Sequence, residues 1–133
     1  MAPRRVPYEF IFDHLEPAEP HTKPMFGHTA VYVGERIVLF LIERQGNPDS
    51  GICLATSAEH LESLRREFPS AGPLHAYPDS TGWLLLPATA EDFEESALRA
   101  CRLIVRRDPR IGRAPKGSRR RIVARKKGKK KVR

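Results

Sequence analysis

No acidic side chain occurs after Asp108, and twelve of the 21 residues from 113 to 133 are Lys or Arg. A stretch of that composition has nothing to bury and repels itself, so it is expected to be a disordered basic tail. Folding is therefore left to residues 1–112. They hold the other 12 basic side chains and all 16 acidic ones, a balance of −4 against +12 for the tail. The net charge of +8 thus belongs to one segment, and a uniformly basic fold is excluded.

A body of 112 residues is one domain of ordinary size, large enough for a core without staples. Cys53 and Cys101 lie far apart and match no metal or redox spacing; they read as two small buried hydrophobes in a reducing compartment. The longest apolar run, Ile37 to Ile42, has the length of a strand and not of a membrane span. Met-Ala-Pro-Arg-Arg at the start has no apolar h-region, so the expectation is a cytoplasmic protein with no integral membrane association.

Val6 to Glu16 reads as a short helix, with Tyr8, Ile11, Phe12 and Leu15 on one stripe and Pro7 in the first turn. Pro17, Pro20 and Pro24 break any helix after it and predict a rigid extended connector. His28 to Val33 and Arg36 to Glu43 read as a hairpin of two strands turned at Gly34-Glu35. The second strand is apolar on both faces and is expected at the centre of the sheet. Gln45 to Gly51 is a loop by turn chemistry, and Ile52 to Ala55 a short strand. Thr56 and Glu59 form the pattern of a capping box, with Leu61, Leu64 and Phe68 as the stripe of the helix behind it. Leu74 to Tyr77 and Gly82 to Leu86 read as a second hairpin. A last helix spans about Ala90 to Arg107, capped by Thr89, with Phe93, Ala97, Cys101 and Ile104 on its buried face. The order α-β-β-β-α-β-β-α predicts an α+β fold, an antiparallel sheet of about five strands covered by helices.

At Lys23-Pro24-Met25-Phe26-Gly27 the chain resembles the N-terminal domain of the TfoX/Sxy competence regulators, relatives of the MmcQ/YjbR-like domains. The likeness continues through Val31-Tyr32-Val33-Gly34 and Arg36 to Ile42, and returns at Gly82-Trp83-Leu84-Leu85-Leu86-Pro87 and the last helix, covering about residues 8–107. It implies a compact α+β domain with an antiparallel sheet, used as a regulatory or DNA-transactions module, and no catalytic residue. His28 stands where the family often has a second Gly, and the Gln45 to Gly51 loop is longer than usual. The family's second, helical domain has no counterpart in these residues, so competence regulation is not carried over.

Within that motif, Met25 and Phe26 read as plugs at the edge of the core and Gly27 as a tight turn into the strand; the other reading makes Lys23, Met25, Phe26 and Gly27 a surface patch for an anionic partner. His14, His21 and His28 recur every seven residues, but the prolines forbid the helix that would align them, and no H-E-x-x-H, H-x-H or C-x-x-C occurs. His60 and His75 read as surface or strand-edge residues. No metal or cofactor is expected. The chain lacks a G-x-S-x-G elbow and a Gly-rich phosphate loop, and the carboxylates at Glu91, Asp92, Glu94 and Glu95 crowd a helix start, where capping accounts for them. The expectation is a protein that is not an enzyme.

The chemistry lies in the tail. Arg119, Arg120 and Arg121, then Arg125, Lys126 and Lys127, then Lys129, Lys130 and Lys131 form three cationic clusters. They predict association with nucleic acid or another polyanion, without sequence specificity because the tail has no aromatic to stack on bases. The first two clusters also match the pattern of a nuclear-localisation signal. The alternative is a protein-protein module that homodimerises by pairing the strand at 36–43, or the hairpin at Gly82 to Leu86, across a sheet edge.

Overall fold

The structure is a computed structural model that describes residues 6–114. Five strands form one antiparallel sheet in chain order: β1 His21–Met25, β2 His28–Val33, β3 Arg36–Ile42, β4 Gly51–Ala55 and β5 Trp83–Pro87. Three α-helices, α1 Phe10–Leu15, α2 Ala58–Glu67 and α3 Phe93–Val105, complete an α+β fold. Among the described residues no helix is long and apolar enough to cross a membrane. The tail clusters from Arg119 to Lys131 lie outside the described residues.

The main core lies between the helices and one face of the sheet. Ile11 and Leu15 of α1, Leu64 of α2, and Ala97, Cys101 and Ile104 of α3 pack on Val31, Leu39, Leu41, Ile52, Leu54, Leu84 and Leu86. The period-two alternation of the strands and the 3.6-residue stripe of α3 deliver those side chains to one layer. β3 is central, as its two apolar faces require. A bulge opposite Val31 and Tyr32 places both Val38 and Leu39 in the core and returns Ile37 to the other face.

Several sequence expectations change. The stretch read as a connector carries β1, paired with β2 along its whole length. Pro24 is tolerated because β1 is an edge strand, where a missing N–H removes no ladder bond. Leu74 to Tyr77 is not a strand; in that region only Gly72 bridges to Leu85. Pro73 and Pro78 bracket the segment, and the N–H groups of His75 and Ala76 are taken by the Asp49 carboxylate at 2.6 and 3.0 Å, so they are lost to any ladder. The order is therefore α-β-β-β-β-α-β-α. β3 is paired on both sides, which removes it as a dimerising edge.

Helix starts also shift. α1 begins at Phe10 because Tyr8 takes a positive φ of 54°, and its hydroxyl donates to the Ile42 carbonyl at 2.8 Å. α2 is preceded by Ser57 without a side-chain cap, and the buried Thr56 Oγ1 has no hydrogen-bond partner among the described residues. Thr56 instead continues the sheet, its N–H donating to the Gly82 carbonyl. α3 starts at Phe93, three residues after the expected position, and Asp92 stands before it in place of Thr89.

The boundary at 112 moves as well. Arg113 exchanges both backbone hydrogen bonds with Ile37, each 2.9 Å, and the Gly112 N–H donates to Ala55. Residues 112–113 thus prolong the line of β4 beside β3, and Arg113 belongs to the folded unit.

Candidate nucleic-acid interface

The sheet face turned away from the helices is built by the alternate residues of each strand. Register fixes which side chains stand together. His21, Tyr32, Ile37 and Arg113 form one row across the sheet, and Lys23, Ala30, Phe40, Cys53 and Leu85 the next. One end of this face is covered: Leu74, in the segment after α2, packs on Ile42, Cys53 and Leu85. Aromatic rings run alongside that cover, and two of them, Phe40 and Trp83, pack against it. His21 stacks on Tyr32 with centroids 5.5 Å apart and planes 12° from parallel. His28 meets Phe40 edge-on at 5.5 Å, and Phe40 reaches Trp83 at 5.7 Å. The small side chains of Cys53 and Ala55, both fully buried on the strand between, leave room for those rings to meet.

Two cations sit on the rings. The Lys23 ammonium lies 5.1 Å from the Tyr32 centroid and the Arg113 guanidinium 5.0 Å from that of Trp83, within the range of cation–π attraction. Burial, and then the positive charge of Arg44, lower the His28 pKa and favour its neutral ring.

Of the motif residues, Lys23 is exposed on β1, Met25 is half-buried, and Phe26-Gly27 is the two-residue turn joining β1 to β2. Both turn residues have positive φ, 52° and 79°, as a type I′ hairpin requires. That turn overturns the reading of Phe26 as a core plug: its side chain is 88% exposed. A Phe in the left-handed region also carries about 1–2 kcal/mol of local strain.

Asp49 shapes the border of this face. Buried in the β3–β4 loop, it accepts from the backbone of His75 and Ala76 and from His75 Nδ1 at 2.9 Å. Burial pushes its pKa up, but the bonds from His75 and Ala76 outweigh that and hold the carboxyl below its usual value. A folded-state pKa below the unfolded one gives stability that is complete above the unfolded value, near 4, and lost as pH falls through the folded one. Asp49→Asn is therefore expected to lose about 1–3 kcal/mol at pH 7, with the gap to the wild type narrowing once the pH is taken well below the unfolded value. Urea melts at neutral and at such low pH check this; an equal gap at each would show that the charge of Asp49 is not the anchor.

Both cysteines are buried, and desolvation pushes each thiol up to about 12, so neither is a nucleophile at neutral pH. His14, His21 and His28 do not converge, and among the described residues no group of His, Cys, Asp and Glu is disposed to hold a metal ion. The sequence reading missed Tyr32, Phe40, Trp83 and Arg113 as one surface, and Asp49 with His75 as one anchor. The alternation within each strand marks the aromatics as facing one side, but only the register between strands brings them together. No family model, no curated protein and no solved structure matches the chain.

Proposed function

We propose that this chain is a non-enzymatic accessory protein that associates with nucleic acid through the basic stretch from Arg113 to Arg133, without reading sequence. We also read its folded unit as TfoX N-terminal-like, since an α+β fold with an antiparallel sheet is what that resemblance implies. The observation that carries the functional reading is the charge of the stretch joined to its point of departure. Twelve cations in 21 residues begin at Arg113, whose own guanidinium lies on Trp83, one of the rings on the sheet face turned away from the helices. The Asp49–His75 pair is given no catalytic part, because its carboxylate is taken up by anchoring backbone.

Phosphate neutralisation releases counterions, and on duplex DNA each contact contributes about −0.9 to the slope of log affinity against log salt. Engaging six of the twelve cations gives a slope of about −5 and a loss of roughly 10³-fold between 50 and 200 mM salt. Anisotropy titrations of a labelled duplex across that range check it. A slope near zero would refute the reading.

A further inference from the structure

We propose that the open sheet face carrying Tyr32, Phe40 and Trp83 stacks the unpaired bases of a single-stranded nucleic acid. The inference rests on the preceding reading for the chemical class of the partner and adds which form is bound and where. Three observations converge on it.

The first is the surface itself. Aromatic rings on one sheet face, with cations beside them, offer stacking to any base and pairing to the phosphates that link the bases. Tyr32, Phe40 and Trp83 stand on three different strands of one face and are partly buried, each keeping some of its ring at the surface. Lys23 and Arg113 cover Tyr32 and Trp83. Lys23 is exposed, and an exposed cation–ring contact is weaker than base–aromatic stacking, so Lys23 gives up the Tyr32 ring to a base and turns to a phosphate.

The second is charge. No strand residue whose side chain shares this face is Asp or Glu. The acidic side chains of the described residues lie on the helices, their flanks and the loops and turns. The folded unit is acidic overall yet presents a cationic and aromatic side to a polyanion, and the basic stretch begins on that side.

The third is at the border. Phe26, at the β1–β2 turn, and Tyr77, 67% exposed after the Asp49 anchor, are the large apolar side chains most open to solvent among the described residues. Between them lies a cavity of about 230 Å³ lined by His28, Phe40, Leu74 and Asp49, whose carboxylate is held by the backbone of His75 and Ala76. That is below the size typical of drug-like ligands and suits one planar ring. A duplex hides its base faces within the stack and has none to offer such a surface.

Trp83 is the one tryptophan of the chain and reports on the face directly. The full-length protein is titrated at low salt with an oligothymidylate and with a duplex of equal length, following anisotropy and tryptophan emission. The expected result is binding of both, with emission quenched by the oligothymidylate alone. Phe26→Ala and Tyr32→Ala, each checked by circular dichroism, are expected to weaken the oligothymidylate about tenfold and leave the duplex unchanged. Oligothymidylate binding without quenching, at wild-type affinity in both variants, would overturn the inference and leave the preceding reading standing. Failure to bind either nucleic acid at low salt would remove both. Self-association of the unliganded protein in sedimentation, abolished by Tyr32→Ala, would assign the face to a second copy and overturn the inference.

Discussion

Gly51→Ala should lower stability by about 3 kcal/mol or more and the melting temperature by about 10–20 °C. Gly51 opens β4 with a φ of 151°, a conformation that side chains rarely adopt. A Cβ there would run into the Leu86 carbonyl oxygen and come within 3.0 Å of the Ala88 nitrogen. Both obstacles are backbone, so no rotamer change relieves the clash. Gly51 pairs with Ile42 on one side and Pro87 on the other, which spreads the displacement into both neighbouring strands. Gly72→Ala is the matched control: its φ is ordinary and an added Cβ meets nothing within 4 Å. It should stay within about 1 kcal/mol of the wild type. Thermal melts followed by circular dichroism compare the two, and equal effects would show that close approach at Gly51 is not what holds β4 against β5.

The parts of the fold that could be read from the sequence are those set by local pattern. The two-faced apolar run in β3 placed that strand at the centre, and the stripe of Phe93, Ala97, Cys101 and Ile104 identified the face by which α3 packs. What could not be read depends on distant partners. Leu74 to Tyr77 has strand composition, but Asp49, 26 positions before His75, takes the donors a strand would use. The prolines around β1 argue against a helix and are silent on whether an edge strand will pair. Phe26 misleads because its residue type favours burial while its place in the turn forces it outward. The candidate surface was the least legible part. Its rings lie on β2, β3 and β5, and the bulge opposite Val31 and Tyr32 sets which of them align.

Ending the chain at Ala114 tests the central claim most directly. It removes every cation after Arg113, eleven in all, and touches none of the described elements. At 50 mM salt the shortened protein should bind duplex DNA about 100-fold more weakly or worse, and its salt slope should fall from about −5 to near zero. Its circular dichroism should match that of the full chain, since the core from Ile11 to Ile111 is intact. Side-by-side anisotropy titrations of the two proteins at several salt concentrations supply the numbers. Equal affinity and equal slope for both would contradict the account and move polyanion binding from the basic stretch to the folded unit.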